Sequence, residues 1–82
     1  GSAIAANKVR GVRADMCTDE TIARYSREHT GGNLITLGST LLPGPAAAIR
    51  IVLVWLGTAM RDERYIRRLA KIKALEDRAG RE

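Results

Sequence analysis

The sequence has few aromatic side chains, one histidine and one cysteine. Tryptophan and tyrosine together supply 4% of its 82 residues, and phenylalanine is absent. Large rings that could anchor a core or stack on nucleic-acid bases are therefore scarce. The single cysteine, Cys17, excludes an internal disulfide framework and a zinc site built from several cysteines. It fits a reducing compartment, so we expect a cytoplasmic protein.

Long hydrophobic runs are also missing. The longest, residues 45–60, contains Arg50 and falls short of the roughly 20 residues that a membrane-spanning helix needs. Residues 1–6 are apolar but short and carry no basic leader, so we expect no signal peptide. We therefore expect no membrane partner, and a buried helix over the apolar run.

Positive charge is in excess, with 14 lysines and arginines against 9 acidic residues, a net charge of +5 and a pI near 10.1. Such a balance suggests an anionic partner. Nucleic acid, a membrane surface and a phosphorylated small molecule all satisfy it, and charge alone does not choose among them.

Two short segments have the character of strands. Residues 12–17 alternate apolar and polar side chains, and residues 33–38 form a short apolar run. Because helical segments separate them, we expect parallel pairing in an α/β fold. Two parallel strands are too few for a stable sheet, so the sequence is typical of the C-terminal part of a larger domain.

Helical patterns occupy most of the remaining chain. Residues 1–8 are rich in alanine, and Pro45 suits the first turn of a second helix. Between them, Thr18 is expected to cap a helix that ends at Gly31 and Gly32. The inward face of that helix is predicted to carry Ile22, Tyr25, Ser26 and His29.

A last, basic helix is predicted over residues 62–79. Its apolar residues Leu69, Ile72 and Leu75 recur at helical spacing and are expected to face inward. Arginines and lysines occupy the outer side.

Three blocks, AANKVRGVRA, SREHTGGN and RDERYIRR, resemble the ribose-5-phosphate isomerase B family, which includes the galactose-6-phosphate isomerase subunits. The resemblance implies a Rossmann-like parallel sheet flanked by helices, of which residues 1–82 are the C-terminal part of a single domain. It also implies a homodimer or a dimer of dimers, with aldose–ketose isomerisation of a phosphorylated sugar through an enediolate. No metal or organic cofactor is implied.

The resemblance assigns a catalytic role to His29 as the proton donor that opens the sugar ring. Gly1 matches the end of a glycine-rich loop that holds the oxyanion, while the family's general base lies upstream of this chain. Without the match, a lone histidine at a helix end is usually structural, and Gly1 could equally remain from cloning. Cys17 is expected to be buried, and Trp55 to lie in the core or in a dimer interface.

Arg64 and Arg68 match the family's two phosphate-binding arginines. Their i, i+4 spacing places both guanidinium groups on one helix face, where they can grip one phosphate. The alternative is a solvated basic face that also includes Lys71.

Several positions depart from the family's pattern. Thr30 and Gly31 replace an asparagine and an acid, Thr40 replaces an arginine, and residues 61–63 replace Glu-Gly-Gly. We therefore expect a sugar phosphate other than ribose 5-phosphate.

Two other interpretations stay open: a basic nucleic-acid-binding module and a catalytically idle homologue. The first lacks stacking aromatics and a known reading motif, so no nucleic-acid partner is expected. Topology adds one further prediction. His29 should lie at the amino end of the sheet, away from Gly1, and so serve the active site of a neighbouring subunit.

Overall fold

The computed structural model describes residues 1–38 and 42–79. The elements follow one another in the order α1 (Ser2–Ala6), β1 (Ala14–Met16), α2 (Glu20–Glu28), β2 (Leu34–Thr36), α3 (Pro45–Leu56) and α4 (Glu63–Ala79). The α/β class predicted from the sequence is confirmed. The replacement at Thr40 lies outside the described residues.

The two strands pair in parallel, with Ala14 opposite Leu34 and Met16 opposite Thr36. Helix α2 provides the connection between them, as in a βαβ unit. Both strands are shorter than the segments predicted for them, residues 12–17 and 33–38. The second is only half-buried, because the described residues supply no further strand to cover it.

Two asparagine side chains form hydrogen bonds with the backbone around the start of β1. Asn7 donates from Nδ2 to the carbonyl of Ala14 at 2.9 Å and accepts the Ala14 N–H at 2.7 Å. Asn33 accepts the Arg13 N–H at 2.7 Å and donates to the carbonyl of Gly11 at 2.8 Å. These bonds satisfy backbone groups that precede the ladder, and they place the end of α1 beside the start of β1.

Helix α2 begins one residue later than predicted. The side chain of Asp19, not of Thr18, caps it by accepting the Ile22 N–H at 2.8 Å. The predicted inward face is also wrong in part, because Tyr25 is 50% exposed and Ile22 is 38% exposed. The buried positions are Ala23 and Ser26, whose small side chains suit close packing against α3.

The core of the described chain is small. Cys17, Ala23 and Ile51 form its buried centre, and Trp55 packs partly against it. The expected burial of Cys17 is confirmed, and burial is the main cause that raises the pKa of its thiol. A protonated, enclosed thiol suits packing and not nucleophilic chemistry.

Apolar faces of the last two helices are left exposed. On α4, Leu69 is half-buried, but Ile72 and Leu75 are 55% and 58% exposed, so the prediction that they face inward is wrong within this chain. Helix α3 buries Ile51 while Leu53 on its other side is 63% exposed. Periodicity identified these stripes, but no element of the described chain covers them. Among the described residues, no helix has the combined length and apolar character needed to cross a bilayer.

Replacing Gly32 by alanine is expected to destabilise the full-length protein by roughly 1–3 kcal/mol. Gly32 is buried, and a β-carbon there would collide with Ser26 Oγ and lie 3.0 Å from a carboxylate oxygen of Asp15. Urea denaturation of the wild type, Gly32→Ala, Ser26→Ala and the double variant measures the free energy of unfolding around a complete double-mutant cycle. Because Ser26→Ala removes the colliding atom, the double variant should be more stable than the sum of the single effects; strict additivity would contradict this account.

Candidate active site

A cavity of about 540 Å³ lies where the end of α2 meets the loop that joins α3 to α4. His29 lines one side, and Arg64 and Tyr65 line the other. The remaining lining residues are Glu28, Gly57, Thr58, Ala59, Arg61 and Asp62. The structure thus brings together two of the four predicted site residues, His29 and Arg64.

His29 is the C-cap of α2, and its backbone N–H donates to the carbonyl of Tyr25 at 2.8 Å. Its imidazole ring lies between two tyrosine rings. The centroid of Tyr25 is 4.6 Å away with 17° between the planes, and that of Tyr65 is 4.4 Å away with 23°. Both faces of the imidazole are covered, so a ligand in the cavity can reach His29 only at the edge of the ring.

Gly31 allows α4 to approach the end of α2. Its φ is +61°, in the left-handed region that favours glycine. A β-carbon there would lie 2.7 Å from Leu69 Cδ2 and 2.9 Å from Met60 Cε. The predicted end of α2 at these glycines is confirmed, and this close contact helps to place α4 beside His29.

Arg27 connects the two walls of the site. Its guanidinium donates to the carbonyl of Gly32 at 2.7 Å and to that of Thr58 at 3.2 Å. It also lies over the Trp55 ring at 4.3 Å, and Trp55 donates from Nε1 to Ser26 Oγ at 3.3 Å. The expectation that Trp55 contributes to the core is therefore confirmed, since its half-buried ring supports the loop after α3.

Arg64 is held by a neighbouring carboxylate. Asp62 Oδ2 accepts from the Arg64 guanidinium at 2.8 Å, and Asp62 Oδ1 accepts the Arg64 backbone N–H at 2.9 Å. Hydrogen bonding from Arg64 lowers the pKa of Asp62 to about 2. Asp62 is therefore ionised throughout the neutral range, and an incoming phosphate would compete with it for Arg64.

Arg68 is not among the residues that line the cavity, but it lies near the ring of Tyr65. Its Cζ atom is 5.5 Å from the ring centroid, while that of Arg64 is 5.3 Å from it. The i, i+4 spacing thus places both guanidinium groups around one aromatic ring.

Gly1 lies at the opposite end of α1 from the start of β1. It is the N-cap of α1, whose other end is bonded to Ala14 at the start of β1. The end of α2 also lies beside the start of β1, because Arg13 Nε donates to the carbonyl of Gly31 at 2.7 Å. His29 therefore lies at the amino end of the sheet, as the topology predicted, and Gly1 is not among the residues that line its cavity.

Sequence reasoning missed Asp62 and Tyr65 as members of the site. Asp62 stands out in the sequence as a departure from the family's pattern, and an acid two residues before an arginine is also a local signal for an ion pair. Tyr65 gave no such signal, since it meets His29 only when α4 is in place. Tyr25 was placed on the same helix face as His29, and the stacking of the two rings agrees with that spacing.

A parallel α/β unit with two arginines in the lining of a cavity, here Arg61 and Arg64, suits a protein that binds phosphorylated small molecules. The chain belongs to the ribose/galactose isomerase family, whose model matches residues 1–72. The family predicted from the three sequence blocks is therefore confirmed.

Individual relatives agree with this assignment. The chain is 38% identical over 78 residues to ribose-5-phosphate isomerase B of Escherichia coli, covering 95% of this chain and 52% of the relative. It is 39% identical over 56 residues to D-erythrulose-4-phosphate isomerase of Pectobacterium atrosepticum, covering 68% and 36%. The structure of ribose-5-phosphate isomerase B from Clostridium thermocellum superimposes with a TM-score of 0.87 at 40% identity, covering 96% of this chain and 53% of that one. The chain thus spans about half the length of these two isomerases B.

Proposed function

We propose that the full-length protein containing this chain is an aldose–ketose isomerase of a phosphorylated sugar. The observation that carries the proposal is the meeting of His29 and Arg64 in one cavity, in a chain of the ribose/galactose isomerase family. An imidazole edge and a guanidinium are the two groups that ring opening and phosphate binding require. Residues 1–82 supply the C-terminal part of the domain.

The proposed chemistry divides between two halves of the site. His29 protonates the ring oxygen as its bond to C1 breaks, and the C1 hydroxyl gives up its proton to become the carbonyl. Arg64 with Arg68 binds the phosphate. A base upstream of this chain removes the proton from C2 of the open aldose, and the resulting enediolate is reprotonated at C1 by the same group. The proton of the C2 hydroxyl passes to the oxygen on C1, so that C2 becomes the carbonyl of the ketose. Backbone N–H groups of the loop that ends at Gly1 stabilise the negative oxygen of the enediolate.

A homodimer reconciles the separate positions of Gly1 and His29. His29 lies at the amino end of the sheet, whereas ligands in open α/β sheets bind beyond the carboxyl ends of the strands. A second copy would bring its glycine loop to the cavity of His29. The exposed apolar residues of α3, such as Leu53 and Leu56, supply a surface that suits such an association.

The substrate is proposed to be a sugar phosphate other than ribose 5-phosphate. Thr30 stands where the family has an asparagine, and its hydroxyl is engaged within the fold, donating to the carbonyl of Ser26 at 2.8 Å and contacting Asp15 at 3.0 Å. The carboxylate of Asp62 already accepts a hydrogen bond from the guanidinium of Arg64. The cavity therefore gains the carboxylate of Asp62, while Thr30 does not line it and offers no free hydroxyl to a sugar.

A nucleic-acid interface on α4 has less support. One of its arginines, Arg67, is already paired within the helix, 3.7 Å from Glu63. The helix also carries acidic residues, of which Asp77 pairs with Arg10 from the segment before β1. Affinity for nucleic acid would fall steeply with added salt, which gives a simple test of this alternative.

The full-length protein is expected to interconvert an aldose phosphate and its ketose, while the 82-residue chain alone is expected to be inactive. The chain lacks a base at the family's position, and proton transfer between C1 and C2 needs one. Coupled assays with a panel of four- to six-carbon aldose phosphates measure the isomerase activity of the full-length protein and of the 82-residue chain. Failure of the full-length protein on the entire panel would contradict the proposed activity, and turnover by the purified chain would contradict the missing-base argument.

A further inference from the structure

The side chain of Tyr65 lies against all three side chains proposed to act on the substrate, those of His29, Arg64 and Arg68. The ring of Tyr65 stacks on His29 with centroids 4.4 Å apart and lines the same cavity. The guanidinium carbons of Arg64 and Arg68 lie 5.3 Å and 5.5 Å from the same ring. Tyr65 therefore occupies the junction between the group proposed to move a proton and the groups proposed to hold the phosphate.

We propose that Tyr65 is a positioning residue, whose flat ring fixes both His29 and the guanidinium groups of Arg64 and Arg68. The proposal rests on the function proposed above and deepens it. The ring acts through these neighbours and performs no chemical step itself.

The stack restricts how His29 can move. As the C-cap of α2, His29 has no following helical turn to hold its side chain. Tyr25 covers one face of its ring and Tyr65 the other, so the imidazole stays in a narrow slot with its edge available to the cavity. A misplacement of about 1 Å in a reacting group can cost on the order of 100-fold in rate.

The arginines are held by a different property of the same ring. A guanidinium within about 6 Å of an aromatic centroid is attracted to the negative face of the ring. Arg64 and Arg68 each satisfy this distance. Their side chains are long and exposed. A shared aromatic contact restricts these side chains before the phosphate binds, so less conformational entropy is lost on binding.

Tyr25 supplies a matched control. It stacks on His29 from the opposite face, but it does not line the cavity. Among the described residues, no guanidinium lies over its ring. Loss of Tyr25 should disturb His29 alone, whereas loss of Tyr65 should disturb His29 and phosphate binding together.

The test uses Tyr65→Phe, Tyr65→Leu and Tyr25→Leu in the full-length protein. Tyr65→Leu is expected to lower kcat roughly tenfold to a hundredfold and to raise the Kd of inorganic phosphate about two- to fivefold by calorimetry. Tyr25→Leu should lower kcat but leave the phosphate Kd within about twofold. Tyr65→Phe keeps the ring and should retain both values within about twofold.

A third readout does not depend on isomerase activity. Stacked rings shift the NMR signal of the His29 Cε1 proton, and Tyr65→Leu should move that signal while Tyr65→Phe leaves it near its original position. If the wild-type protein converts no sugar phosphate, the proposed function fails, yet the NMR signal and the phosphate Kd still test Tyr65. Unchanged values of both in Tyr65→Leu, or their loss in Tyr65→Phe, would overturn the positioning role.

Discussion

Replacing Arg64 and Arg68 together by alanine is expected to weaken phosphate-ligand binding by the full-length protein about 10²- to 10⁴-fold. Each charge-assisted hydrogen bond contributes roughly 1.5–3 kcal/mol, and a tenfold change in Kd corresponds to about 1.4 kcal/mol. Inhibition by a phosphorylated substrate analogue, or calorimetry with that analogue, measures the loss.

Arg67 provides the matched control for this variant. It lies on the same helix and is exposed, and it pairs with Glu63. It differs from Arg68, which also does not line the cavity, because among the described residues only Arg64 and Arg68 have guanidinium groups over the Tyr65 ring. Arg67→Ala should therefore leave the Kd nearly unchanged. Equal affinities of Arg67→Ala and of the double variant would show that the phosphate binds elsewhere.

Replacing Asp62 is expected to change the phosphate Kd in the opposite direction. Its carboxylate competes with the ligand for Arg64, so Asp62→Asn should tighten phosphate binding. Since Arg64 lowers the pKa of Asp62 to about 2, this competition is constant between about pH 5 and 8. Titration of Asp62 should therefore contribute nothing to the pH dependence of phosphate binding in that range.

Mixing two inactive full-length variants is expected to restore up to about a quarter of wild-type activity. One variant carries His29→Ala, and the other lacks the upstream base. If dimers form at random, about half of them are mixed, and one of the two sites in each mixed dimer has both groups intact. The measurement is isomerase activity after subunit exchange, with mixed dimers verified by differential tags.

The shared cavity of His29 and Arg64 supplies the control. These residues come from the same chain, so a mixture of His29→Ala with Arg64→Ala/Arg68→Ala leaves every site defective and should stay inactive. Recovery in that mixture would place the histidine and the arginines in different sites. No recovery in the first mixture, with mixed dimers present, would place His29 in the site of its own subunit or outside catalysis.

Local signals in the sequence predicted most of the elements correctly. The glycines at positions 31 and 32 predicted the end of α2, and Pro45 predicted the start of α3. Capping was misplaced by one residue, because Thr18 and Asp19 are both good caps and only the geometry of the chain leaving β1 selects Asp19. The faces of α2 and α4 were less well predicted, because periodicity shows that a face is apolar but not which neighbour covers it.

The sequence alone determined the α/β class, the family, and the residue types available to the site, including the i, i+4 spacing of Arg64 and Arg68. Those properties depend on local periodicity and on short blocks of residues. Only the tertiary structure decided that Tyr65 meets His29 and that Gly1 is not part of their cavity. Such contacts join segments far apart in the chain, so they depend on how α4 packs beside Gly31 at the end of α2, which no local pattern encodes.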